Sequence, residues 1–367
     1  MPLRRSTLIF IAKWLIAVVV AVGLFWAARK ALNQWQEQTD AIEASIIDLD
    51  RSIESTSEIT LKNEQIAQRD ALRRSVPSLQ NLSWSRILIS TLLYTAGIFV
   101  PGLVLHQALD SLGEHPRRGL TVAAQLLGHA GKYVPGKAMV IVLRAGALAR
   151  DDVAPMRATI AVFMETLLMM AVGAALACAV ICWLPVPTWM LWTAILVAIV
   201  ASVPTIPPIL TRVAAKVSKT DVAALENRQE SPNRTLRFFL IGWSLSLVSW
   251  LLIGASFCML VTAIPSSIPS AVPMGDTTIL DVGFDGKEPS TMMLCAVSTA
   301  AIGLGMVVGF ASLLPGGAGV RELVLTTILS TAVGMAHALL AAVAARLMFI
   351  AVEAICAGLA WCWLRNK

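Results

Sequence analysis

Charge is what this sequence most lacks: Asp, Glu, Lys and Arg make up 14% of its 367 residues, against roughly 25% in soluble domains. Too few ionised side chains remain to cover a water-facing surface, which argues against a soluble globular protein. Cysteine is sparse as well. Cys178, Cys182, Cys258, Cys295, Cys356 and Cys362 lie in or beside apolar runs, without zinc spacing or a secreted-type framework, and read as small core residues. No GxGxxG, Walker, HExxH or GxSxG pattern occurs. The missing phosphate loop excludes ATP hydrolysis, and without a nucleophile–base pair or a metal set neither an enzyme nor a cofactor is expected.

What the chain has in abundance is apolar sequence, 57% of residues with a mean hydropathy of +0.73. A membrane span needs about 20 mostly apolar residues, and backbone groups surrounded by lipid must bond within their own segment. The runs at about 8–28, 84–108, 158–184, 188–211, 238–263, 291–314 and 338–364 therefore predict transmembrane helices in an all-α, polytopic bundle. The first run, residues 1–32 with its flanks, is too long for a signal-peptide core and is interrupted by Lys13, so a retained span is expected. The net charge of +6 is the Lys and Arg excess of cytoplasmic loops rather than a nucleic-acid surface. Arg212, Lys216, Lys219, Arg228, Arg234 and Arg237 predict a cytoplasmic 212–237 loop; Asp276, Asp281, Asp285 and Glu288 predict an extracytoplasmic 264–290 loop.

Residues 33–82 interrupt the apolar pattern with Glu, Asp, Gln, Ser and Arg. Ile42, Ile46, Leu49 and Ile53 form a stripe of little more than one heptad, short of a sustained coiled coil. A polar, extracytoplasmic helical insert or hairpin is expected, available to an extracytoplasmic partner or to a second copy of the chain. A transmembrane domain is then expected over 83–367.

Two segments, at about 119–143 and 315–336, are apolar yet broken. The first contains Gly128-His129-Ala130-Gly131-Lys132-Tyr133-Val134-Pro135-Gly136-Lys137, and the second Pro315-Gly316-Gly317-Ala318-Gly319-Val320-Arg321-Glu322. Proline removes a backbone donor and glycine permits positive φ, so half-helices are predicted. Arg117 and Arg118 before the first segment, and Arg144, Arg150 and Arg157 at and beyond its end, put both its ends on one side, so it should re-enter. Paired breaks suggest an inverted-repeat-like transporter; the competing expectation is two loops at the membrane surface.

The stretch Gly131-Lys132-Tyr133-Val134-Pro135-Gly136 with Arg144, and the stretch from Pro315 to Glu322, resemble the two signature motifs of the lysylphosphatidylglycerol synthase transmembrane region family. This is the flippase-like membrane half of the multiple peptide resistance factor proteins. The resemblance covers roughly 84–364 and is strongest at the second motif. It implies movement of an anionic or glycosylated lipid between leaflets of the cell (inner) membrane. No synthase domain follows the last span, so lipid aminoacylation is not expected, and the 33–82 insert is longer than the short connection expected after the first span.

Lys132, Lys137, Arg144, Arg321 and Glu322 are the candidate headgroup residues, set beside helix breaks at Pro135, Gly136, Pro315, Gly316, Gly317 and Gly319. Arg321 and Glu322 would open a half-helix, where free N–H groups and the dipole favour an anion. Glu165, Arg346 and Glu353 lie within apolar runs, and each intramembrane charge costs about 2.5–3.5 kcal/mol unless paired or wet. A structural network in which Arg346 and Glu353 neutralise Glu165 and Arg321 is the competing role for these charges, as snorkelling is for Lys132 and Lys137. A small-solute or ion transporter and a non-transporting scaffold remain the alternative functions.

Overall fold

The computed structural model describes residues 43–55, 59–75, 81–132, 138–183, 188–206, 232–265, 290–312, 317 and 319–366, with isolated positions at 29, 40 and 209. The first span, the 212–231 and 266–289 stretches, and Tyr133, Val134, Pro135, Gly136, Lys137, Pro315 and Gly316 lie outside the described residues.

Helices account for the regular structure, and no strand occurs among the described residues. In chain order they are α1 (Ile59–Ser75), α2 (Trp84–Ser111), α3 (Arg118–Gly131), α4 (Ala138–Leu148), α5 (Pro155–Ile181), α6 (Thr188–Ser202), α7 (Pro232–Ala263), α8 (Thr291–Ala311), α9 (Val320–Val333) and α10 (Met335–Arg365). Five are long and apolar enough to cross a membrane, namely α2, α5, α7, α8 and α10. The protein is an integral, multi-pass, all-α membrane protein.

The expected span at 188–211 is shorter than predicted. Helix α6 gives way to a 3-10 turn at Val203–Thr205, because Pro204 cannot sustain the backbone ladder. Its 15 residues reach about 23 Å at roughly 1.5 Å each, less than the ~30 Å of a hydrocarbon core.

Close contacts fix the directions of the helices. Helices α2 and α7 run antiparallel: Ser83 N–H donates to the Ala263 carbonyl, and the Ser90 and Ser256 hydroxyls each donate to the other residue's backbone carbonyl. Farther along, the Ser249 hydroxyl donates to the Gly97 carbonyl. Small side chains let the backbones approach this closely, as membrane interfaces require. Trp250 of α7 packs over Gly173 of α5 and donates to the Met169 carbonyl at 2.8 Å. Between α7 and α8 a disulfide joins Cys258 to Cys295 across a Cα separation of 5.0 Å. That corrects the expectation that all six cysteines are unpaired core residues; in sequence the two stand 37 apart, and only helix packing makes them neighbours.

The polar insert packs within itself. Gln65 of α1 donates to the Ser52 hydroxyl, and Arg69 and Arg73 both reach Asp50. The helical stretch 43–55 and α1 are thus held side by side by polar contacts.

Candidate functional site

Helices α3 and α4 hold 14 and 11 residues, or about 21 and 16 Å at roughly 1.5 Å per residue, so neither crosses a bilayer alone. They pack antiparallel as a hairpin. At its open end Arg117, just before α3, grips Asp151, just after α4, with a backbone N–H bond of 2.8 Å and a guanidinium bond of 2.7 Å. That carboxylate raises the Arg117 pKa above its ordinary value. At the closed end a Cβ on Gly131 would stand 2.6 Å from the Val140 backbone nitrogen, so only glycine permits this approach. One turn back, Gly128 leaves room for Arg144, whose Nε would lie 2.3 Å from an added Cβ.

Arg144 therefore points inward rather than marking the end of the segment, as the charge pattern suggested. It is 4% exposed and donates to Glu165 of α5 at 2.8 Å. Gln125 approaches the same carboxylate at 3.4 Å.

The second broken segment joins long α8 to short α9. Gly317 and Gly319 have φ of +67° and +90°, a region open to glycine at little cost. The Gly317 Cα side lies against the Gly309 backbone. Glu322 folds back to accept the Gly319 N–H at 2.8 Å and also pairs with Arg346 of α10. Gly334, at φ +77°, then reverses the chain between α9 and α10, placing Glu322 beside Arg346 at equal distances from the turn.

The two segments meet around α10. Lys132, at the closed end of the first hairpin, donates to Glu353 at 3.1 Å. His129 Nδ1 lies 3.3 Å from the same oxygen, although its alignment makes no hydrogen bond. Tyr94 of α2 donates to that oxygen at 2.6 Å, and its ring stacks on Phe349 with centroids 3.7 Å apart. On Phe349 also sits the Arg321 guanidinium, 5.4 Å from the ring centroid. Tyr94 falls ten residues into the 28-residue α2, so this meeting point lies near the middle of the bundle.

The candidates named from sequence thus divide. Lys132, Arg144, Glu165, Arg321 and Glu353 gather here; Glu322 and Arg346 form an adjoining pair. Lys137 and the breaks at Pro135, Gly136, Pro315 and Gly316 lie outside the described residues. The neutralisation of Glu165 and Arg321 by Arg346 and Glu353 is not the pairing formed: Arg144 takes Glu165, Lys132 takes Glu353, and Arg346 takes Glu322. Arg321 touches an aromatic ring and pairs with no carboxylate among the described residues. Tyr94, Gln125, His129 and Phe349 are not among the candidates named from sequence. The available signal was the Gln125–His129 spacing of four, which puts two polar groups on one face of an otherwise apolar helix.

On its other face the hairpin forms a groove with the end of α10. It encloses about 350 Å3, is walled by Leu127, Val142, Leu143, Trp361 and Leu364, and carries Arg150 and Arg365 at its edge.

No family model matches the chain, and no curated protein matches it.

Proposed function

We propose that this protein is a flippase-like lipid translocator that binds an anionic headgroup at the junction of its two broken segments. Support for membership of the lysylphosphatidylglycerol synthase transmembrane region family remains the pair of Pro-Gly motifs. The observation that carries the reading is the surplus charge of Arg321. Charges at bilayer depth are normally paired or wet, and the neighbouring cations Lys132 and Arg144 each hold a carboxylate, whereas half-buried Arg321 holds none among the described residues. Arg321 instead stands in the first turn of α9, where the helix dipole favours an anion, and its planar fork suits a phosphate.

The site is narrower than the five residues named from sequence. Arg144 and Glu322 are committed to structural pairs, and Glu322 itself occupies the Gly319 N–H. Arg321 is the primary contact, and Lys132, partly exposed and reachable, is its partner. The apolar groove beside the first hairpin favours a lipid over a soluble anion, because its walls suit acyl chains while Arg150 and Arg365 suit a phosphate. In this reading the end bearing Arg117, Arg118, Arg150, Arg157, Arg237 and Arg365 faces the cytoplasm of a cell (inner) membrane, and the 33–82 insert lies outside, free to meet a partner or a second copy.

The test is flipping of fluorescent phosphatidylglycerol in proteoliposomes. Arg321→Gln is expected to reduce the rate at least about tenfold, the loss of roughly 1.4 kcal/mol or more of charge-assisted bonding, with an unchanged thermal transition. An unaltered rate removes the phosphate-clamp reading. Uptake of inorganic phosphate without lipid movement transfers the assignment to a soluble-anion transporter.

A further inference from the structure

His129 is 4% exposed, and neither of its ring nitrogens has a well-aligned hydrogen-bond partner among the described residues. A buried imidazole left so is costly, unless the site serves a ligand absent from the resting arrangement. Its Nδ1 lies 3.3 Å from a Glu353 oxygen that Lys132 and Tyr94 already use. One turn earlier on the same face, buried Gln125 Oε1 has no hydrogen-bond partner among the described residues either, while its amide leans on Glu165.

We propose that His129 and Glu353 form a proton-binding site whose loading is linked to anion capture by Arg321 and Lys132. The inference rests on the headgroup reading above and adds the coupling ion. Lys132 on its own helix, Glu353 from α10 and Arg144 from α4 act on His129 directly; around them stand Tyr94 from α2 and Cys356 of α10 beside Glu353, Glu165 from α5 on Arg144, and Arg321 from α9 near Lys132. Among the described charged groups, three cations stand against two carboxylates, one positive charge in excess. A proton taken from water onto the imidazole raises that surplus to two and gives Glu353 a second cation to serve. Lys132, then sharing Glu353 with a second cation, can turn to a phosphate. The bound anion in turn offsets the added charge and holds the proton. Linkage is reciprocal: an anion that raises the His129 affinity for a proton must itself bind more tightly as pH falls, up to about tenfold per pH unit for one proton. Reversal at the other face, with anion and proton released together, would let a proton gradient drive lipid movement.

The experiment uses the full chain in phosphatidylcholine nanodiscs. Binding of dihexanoylphosphatidylglycerol and, in parallel, of glycerol phosphate is measured from pH 5.5 to 8. Nitrogen-15 spectra of the four histidines are recorded with and without each probe, and His129→Gln assigns the signal. The expected result is affinity that rises as pH falls in wild type and is flat in His129→Gln, with an imidazole midpoint that moves up when the probe binds. In Glu353→Gln that midpoint should fall, which serves as the check if His129→Gln does not fold. Binding that ignores pH, or a His129 signal that stays neutral with probe present, overturns the linkage while leaving the headgroup site standing. No binding of either probe at any pH overturns both.

Discussion

Arg144 and Glu165 have side chains 5% and 4% exposed and meet at 2.8 Å. Removing one partner of a buried pair leaves an uncompensated charge, at a cost of about 3–5 kcal/mol. Glu165→Ala should therefore lower the thermal transition of the purified protein sharply. Arg144→Met combined with Glu165→Met should restore most of the loss, because apolar residues of similar volume need no pairing; a double variant no better than either single change would contradict a purely structural pair. Arg321 behaves differently at this scale. It stacks on Phe349 and neutralises no carboxylate among the described residues, so its loss should register in transport before it registers in stability.

At the scale of elements, the first hairpin depends on two glycines that differ in tolerance. At Gly128 an added methyl meets the Arg144 side chain, whereas at Gly131 it meets the Val140 backbone. A side chain can swing and a backbone cannot. Gly131→Ala should therefore cost about 1–3 kcal/mol and part the closed end, exposing Lys132 to amine-reactive reagents; unaltered labelling and melting would show that the hairpin can yield. Helix α6 illustrates the opposite effect, in which Pro204 turns a short apolar α-helix into a 3-10 turn.

For the molecule as a whole, the disulfide and the arginines mark opposite ends. Cys258 and Cys295 lie near the last turns of α7 and the first turns of α8, at the end where α2 begins. The proposed sidedness puts them at the extracytoplasmic, oxidising face. Alkylation under denaturing, non-reducing conditions should modify four cysteines, and six after reduction. Six without reductant would remove the bridge. A cysteine placed at Ser290 should react with an impermeant reagent added outside intact cells, whereas one at Arg365 should not; the reverse result would invert the topology.

Much of this was legible in the residues alone. Low charge and 57% hydrophobic content require helices in lipid, since no other described fold satisfies the backbone there short of a closed barrel. The helices stop at Gly131 and Ala311 and resume at Ala138 and Val320, on either side of the Pro-Gly clusters, and an isolated Glu165 or Glu353 announced the need for partners. Which partner each took was beyond the sequence. Glu353 stands 221 residues from Lys132 and 259 from Tyr94, and no periodicity carries information over that span. The cysteine bridge was hidden for the same reason. Local rules settle how a segment bonds its own backbone; only the packing of helices against one another decides which buried charges meet, and here it left Arg321 without a carboxylate among the described residues.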